Sequence, residues 1–156
     1  MLKGPPPDLV SYPSEIEELN GLAEWVREVI SSGTAPEEIG ILCNRRKDIA
    51  RVEDALKAIE IEFVELKAGK ADNHDVGGVR ITTMHRAKGL EYFAVAIPFM
   101  SETAFPPSVA LRSAVDDADL SDIINQYRSL LHVASTRAKK ELRVSWSGNA
   151  SELTNL

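Results

Sequence analysis

Apolar residues recur at two periods along the chain, and the alternation of those periods predicts its elements. Ile16, Leu19, Ala23, Val26 and Ile30 repeat at spacings of three and four, which sets them on one face of a helix. Ser14 and Glu17 have the spacing of a capping box, and Gly33 closes the pattern. Ile39 to Cys43 is a short apolar run after Pro36, the length of a buried strand. Val52, Ala55, Leu56 and Ile59 mark a second helix with Asp48 as its candidate cap, and residues 61–64 form a second short strand. After a polar connection from Leu66 to Gly78, strands are expected at Val79–Thr83 and Phe93–Phe99. Leu120, Ile123, Ile124, Tyr127, Leu131 and Ala134 share one face of a long helix, and residues 142–146 alternate as a last strand.

Strands alternating with helices predict an α/β sandwich with a mostly parallel sheet, whose functional loops lie at strand ends. The 156 residues suit one domain, and 44% hydrophobic with 27% charged residues describes a globular chain rather than a disordered one. Gly4-Pro5-Pro6-Pro7 is stiff and extended and reads as the end of a linker, so the expected layout is linker 1–13, domain 14–148 and tail 149–156. No apolar run approaches the ~18 residues that span a bilayer, and the single cysteine, Cys43, suits the reducing cytoplasm and a buried strand position.

Charge is divided unevenly. Residues 1–78 hold nine Lys and Arg against sixteen Asp and Glu, whereas residues 79–156 hold nine against eight. Any polyanion site is therefore expected in the second half, although the chain as a whole is at −6. Two stretches there concentrate polar chemistry. Thr82 to Glu91 directly follows a strand and offers hydroxyls, an imidazole, Arg86 and Lys88 to a phosphodiester, with Gly89 permitting close backbone approach. Arg128 to Glu141 runs off the long helix, where cations also favour the helix dipole. Each is also what an ordinary helix cap or a solvated helix end looks like. His74, His85 and His132 are scattered and form no metal set, and Asp116, Asp117, Asp119 and Asp122 lack a calcium-loop pattern. Trp25 and Trp146 read as packing, and Tyr92 or Phe93 as candidates to sit near a base.

As strings, these stretches resemble a family. Thr83-Met84-His85-Arg86-Ala87-Lys88-Gly89-Leu90-Glu91-Tyr92 resembles T-x-H-x-A-K-G-L-E-F, motif V of UvrD/Rep-like superfamily 1 DNA helicases. Arg128 through Ala138 resembles their motif VI, R-R-L-x-Y-V-A-x-T-R-A, and residues 39–63 are similar to motif IV. Phe105-Pro106-Pro107 is similar to a short F-P-H element between motifs V and VI. Motif V then covers about 79–92 and motif VI about 126–142.

The resemblance implies the second RecA-like domain of an ATP-driven motor, a three-layer α/β sandwich. In such a motor ATP with Mg²⁺ lies between two RecA-like domains, the N-terminal one carrying the phosphate loop and the Mg²⁺ ligands. The resemblance makes Arg137 the arginine finger and puts Gly89, Glu91 and Arg45 at the nucleotide. It puts Thr83, His85, Arg86 and Lys88 on single-stranded DNA. In an ungapped match the motif IV arginine falls on Asn44, one position before Arg45; in motif VI the second arginine is Ser129 and the tyrosine is His132. The interval between motifs IV and V is short, as in a compact variant without an inserted helical subdomain. No G-x-x-x-x-G-K-[ST] loop and no Mg²⁺-binding acidic strand occurs, so the chain alone is expected not to hydrolyse ATP. The alternative is a non-catalytic DNA- or protein-binding module derived from such a helicase.

Overall fold

The computed structural model describes residues 4–67, 72, 73 and 75–155. His74 lies outside them. Six strands form one sheet: β1 (Asp8–Tyr12), β2 (Ile39–Cys43), β3 (Phe63–Glu65), β4 (Val79–Thr83), β5 (Tyr92–Ile97) and β6 (Ala138–Ser147). Their order is β1-β6-β5-β2-β4-β3, and every adjacent pair is parallel. Parallel strands need crossovers, and helices α1 (Glu15–Ser31), α2 (Arg46–Ala58) and α4 (Asp117–Ser135) supply three of them. A short helix α3 (Ser108–Arg112) packs on α4.

Strand side chains alternate between two cores. On one face Ile39, Ile41, Val79, Ile81, Ala94 and Ala96 pack against Leu22 and Val26 of α1 and Val52 and Leu56 of α2. On the other, Leu42, Val95, Ile97, Leu142 and Val144 meet Leu131 and Ala134 of α4 and Phe105. Burial on both faces explains why β2 and β5 read as continuous apolar runs.

Local chemistry explains most boundaries. Ser14 Oγ accepts from Glu17 N at 3.2 Å, and Gly33 takes φ +109° beyond the helix end. The buried stripe of α1 is Glu18, Leu22, Ala23, Val26 and Val29, so Ile16, which the spacing assigned to it, instead projects outward at 72% exposure. Asp48 does not cap α2. Arg45 is the N-cap residue, and Asp48 is buried in the first turn, accepting from Arg45 and Arg51. Asp116 caps α4 through Asp119 N at 2.7 Å, which accounts for part of the acidic run.

Both ends of the chain differ from the expected layout. Asp8–Tyr12 is not a linker end: it pairs with β6 from Asp8↔Arg143 to Tyr12↔Ser147. An open sheet edge recruits any extended segment, and Pro5 to Pro7, lacking N–H donors, delay pairing until Asp8. Of the expected tail, residues 149–155 are not loose either. Ala150 bridges Ser101, Ser151 N donates to Met100 O at 2.8 Å, and Leu153 is buried in the α4-side core. Among the described residues no helix is long and apolar enough to cross a membrane.

Candidate functional site

The parallel sheet gives the domain two distinct edges, and the polar residues singled out above divide between them. Arg137 follows Thr136, the C-cap of α4, and immediately precedes β6. Its guanidinium is held in place by neutral acceptors. Nε donates to Val133 O and Thr136 Oγ1, both at 3.3 Å, Nη2 to Thr136 Oγ1 at 2.9 Å, and Nη1 to Leu90 O at 3.4 Å. Among the described residues no carboxylate lies within ion-pair distance of it. Tyr92 N donates to Arg137 O at 2.9 Å, so this arginine is stitched to the start of β5. Gly89 takes φ +85° beside it, with nothing within 4 Å of a Cβ placed there. Gly89 and Glu91 are exposed. A fixed, uncompensated fork next to open backbone suits phosphate oxygens.

Thr83 ends β4 at the opposite edge, where its Oγ1 accepts from Arg86 N at 3.3 Å and turns the chain into one 3₁₀ turn, His85–Ala87. His85 and Lys88 are exposed and line a cleft of about 410 Å³ whose other wall is α4. β4 and β5 are both parallel to β2, so Met84 to Glu91 has to travel from the carboxyl edge of the sheet to its amino edge. One segment thus joins Thr83 and His85 to Gly89, Glu91 and Arg137.

Arg45 does not join that group. It follows the carboxyl end of β2, whereas Arg137 precedes the amino end of β6, so the two occupy opposite edges. Its fork is already filled by Asp48, at 2.9 and 3.1 Å. The neighbouring Asn44 is buried, with Nδ2 donating to Ala104 O at 3.2 Å. Tyr92 is equally unsuited to stack on a base, being 1% exposed with its ring against Gly40. Phe93 packs on the α1 and α2 side.

Three buried ionic residues, Arg80, Glu18 and Arg143, carry no sequence expectation. Arg80, in the middle of β4, is 0% exposed. It pairs with Asp72 at 3.0 Å and donates to the carbonyls of Gly78 at 2.7 Å and Asn73 at 2.9 Å. It thereby fastens the connection ahead of β4 onto the sheet. Glu18 of α1 is 1% exposed, and its Oε2 accepts from Phe99 N at 2.8 Å and Ser145 Oγ at 2.7 Å. Burial raises the pKa of its carboxyl above the ordinary value, against the opposing pull of those two hydrogen bonds. Arg143 beside it donates to the Tyr12 hydroxyl. A charged residue inside an apolar strand segment was the available signal for Arg80, whereas Glu18 stands among Glu15 and Glu17 and gave none.

ATP fits the Arg137 edge in so far as a guanidinium without a carboxylate partner among the described residues and the open Gly89 backbone provide for a polyphosphate. Among the described residues no three His, Cys, Asp or Glu side chains gather as metal ligands.

Comparison with known proteins bears on the same residues. The family model described as UvrD-like helicase C-terminal domain matches residues 63–149. DNA helicase II of Rickettsia typhi is 33% identical over 94 residues, covering 60% of this chain and 12% of that protein. ATP-dependent DNA helicase UvrD2 of Mycobacterium tuberculosis H37Rv is 36% identical over 72 residues, 46% of this chain and 10% of that protein. ATP-dependent DNA helicase UvrD1 of Mycobacterium bovis is 27% identical over 133 residues, 85% and 16%. The chain therefore spans only 10 to 16% of the length of these curated relatives. The C-terminal domain of a possible DNA helicase from Lactobacillus plantarum WCFS1 superimposes with a TM-score of 0.70 at 18% identity, over 98% of this chain and 81% of that one, which establishes a common fold.

Proposed function

Because the chain belongs to the UvrD-like helicase C-terminal domain family, we propose that it forms the second wall of an ATP site in a DNA-dependent motor. The first wall is an N-terminal RecA-like domain carrying the phosphate loop and the ligands of Mg²⁺. The observation that carries this reading is Arg137: a guanidinium oriented by Thr136, Val133 and Leu90, without a carboxylate partner among the described residues. Mg²⁺, when bound, would supply neutralisation of the phosphate charge. Arg137 reaches across the interface to the γ-phosphoryl oxygens, where charge spreads during transfer. Gly89 gives the phosphates close backbone approach, and Glu91 faces the ribose or the opposing loop.

Single-stranded DNA is read as lying along Thr83, His85, Arg86 and Lys88. The Met84–Glu91 segment then couples the two sites, since closure around ATP at its Gly89 end shifts its His85 end on the strand. Repeated closure and opening against the other domain converts hydrolysis into steps. The assembly is assigned to the cytoplasm on the single, buried thiol of Cys43.

The test is single-strand-stimulated ATP hydrolysis by this chain together with a phosphate-loop domain, in one polypeptide or mixed. Arg137→Ala is expected to lower kcat by about 10³ to 10⁵-fold, the range associated with an arginine finger, and to change nucleotide affinity far less. Near-normal turnover in that variant removes the role.

A further inference from the structure

The hydrogen bonds around Arg137 account for its guanidinium donor by donor. A guanidinium carries five N–H groups and no acceptor. Nε is shared between Val133 O and Thr136 Oγ1, both at 3.3 Å, Nη2 gives one hydrogen to Thr136 Oγ1 at 2.9 Å, and Nη1 gives one to Leu90 O at 3.4 Å. One N–H on each terminal nitrogen is left without a partner among the described residues. Because Nε and Nη2 converge on the same hydroxyl, Thr136 occupies the side of the fork, and the open pair lies across its end, between Nη1 and Nη2.

Thr136 is suited to this by more than proximity. Its Oγ1 also donates to Val133 O at 2.6 Å. A hydroxyl has one hydrogen and two lone pairs, so committing the hydrogen to the helix backbone leaves the lone pairs to Arg137. The same bond selects between the two rotamers that a β-branched hydroxyl residue adopts on a helix. The backbone around Arg137 is fixed independently, Arg137 N donating to Ala134 O at 3.1 Å and Tyr92 N to Arg137 O at 2.9 Å. What remains to be set is the direction of the side chain, and its shortest hydrogen bond is the one to Thr136.

We infer that Thr136 is a positioning residue: it holds Arg137 from the side so that the end-on pair, one N–H of Nη1 and one of Nη2, meets two oxygens of a single phosphoryl group. The inference rests on the reading of Arg137 as the residue that reaches the γ-phosphate, and it adds which donors do so and what aims them. Two N–H groups in one plane match two oxygens of a tetrahedral oxyanion, a geometry that a point cation does not impose. Without the hydroxyl, Nε and Nη2 lose their shared acceptor and the guanidinium can turn about its stem. Its charge is then unchanged, but the pair no longer faces one fixed direction.

The experiment uses the full chain together with a phosphate-loop domain and compares Thr136→Val, which keeps the shape but has no acceptor, with Thr136→Ser, which keeps the hydroxyl. Thr136→Val is expected to lower kcat by roughly 10²-fold, the loss that goes with a misplacement of about 1 Å, with KM for ATP changed by less than about threefold. Thr136→Ser, the conservative rescue, is expected to recover kcat to within about threefold, because the acceptor is what matters. Affinity for ADP with tetrafluoroaluminate, which stands in for the transferring phosphoryl group, is expected to fall with kcat in Thr136→Val while affinity for ADP alone holds. In an Arg137→Ala background Thr136→Val is expected to cost less than about twofold more, since no guanidinium is left to aim. Equal losses from Thr136→Val in both backgrounds, or a loss in Thr136→Ser as large as in Thr136→Val, make Thr136 merely structural and overturn the inference. Wild-type kcat in Thr136→Val beside a crippled Arg137→Ala overturns it too, while leaving the role of Arg137 standing. Near-normal turnover in Arg137→Ala removes the underlying reading, and the positioning of Thr136 with it.

Discussion

The two edges of the sheet carry arginines that look alike in the sequence and differ completely in what surrounds them. At the carboxyl edge Arg45 and Arg51 converge on Asp48, Arg51 also reaches Glu15 at 3.0 Å, and its guanidinium lies 4.7 Å from the centroid of Phe99. At the amino edge Arg137 is held just as firmly, yet among the described residues only by carbonyls and a hydroxyl. Neutral acceptors orient a guanidinium without cancelling its charge, whereas a bidentate carboxylate does both. The first arrangement builds structure and the second leaves a cation ready for an anion.

Removing one charge from each edge breaks the comparison most directly. Arg137→Ala is expected to raise the barrier to ATP hydrolysis by about 4 to 7 kcal/mol, the equivalent of 10³ to 10⁵ in rate. Arg45→Ala in the same assay is expected to leave turnover within threefold, because its fork is already occupied. Equal losses in steady-state kcat would mean that the edges are not functionally distinct.

The next largest effect concerns Arg80, the extreme of the locked class. Arg80→Met leaves Asp72, 8% exposed, without its cation and the carbonyls of Gly78 and Asn73 without a donor. Loss of one partner of a buried pair costs about 3 to 5 kcal/mol, measurable as a shift in the urea midpoint at unchanged slope. Replacing Asp72 by Leu as well is expected to restore part of it. Asp48→Asn comes third. Asp48 is fully buried, but Arg45 and Arg51 keep 28% and 32% of their side-chain surface and can turn to water, so about 1 to 3 kcal/mol is expected from the same measurement.

These arginines also show how much the sequence disclosed. The parallel α/β plan and the motif V and VI strings were legible because contiguous residues carry them: β4 was read as Val79–Thr83, and Arg137 as the residue leaving the long helix. Asp48 stood three residues from its partner, yet the same position also fits a cap, and nothing in one dimension separates the two. β1 went unread because an edge strand is half solvated and its Leu9 stays 50% exposed, so Asp8–Tyr12 shows no apolar alternation. The opposition of Arg45 and Arg137 depends on strand direction, which only the assembled sheet supplies. The partners of Glu18 lie 81 and 127 residues away, beyond any local pattern.

Glu18 is the anionic counterpart of Arg137, a charged side chain oriented by neutral donors, but it is buried where Arg137 is open. Its pKa is raised above the ordinary value near 4.5, first by burial. The folded state therefore holds a proton that the unfolded chain releases more readily. Stability from this group is fully present below the unfolded pKa and is lost as pH rises through the raised folded value. Glu18→Gln keeps an oxygen for Phe99 N and Ser145 Oγ and has no charge to desolvate. It is expected to match wild type near pH 4 and to gain stability progressively as pH rises above 4.5. Urea unfolding of both proteins from pH 4 to 8 checks this. A difference that stays constant with pH would mean that Glu18 ionises as easily folded as unfolded, and that Phe99 N, Ser145 and Arg143 hold its charge as effectively as water does.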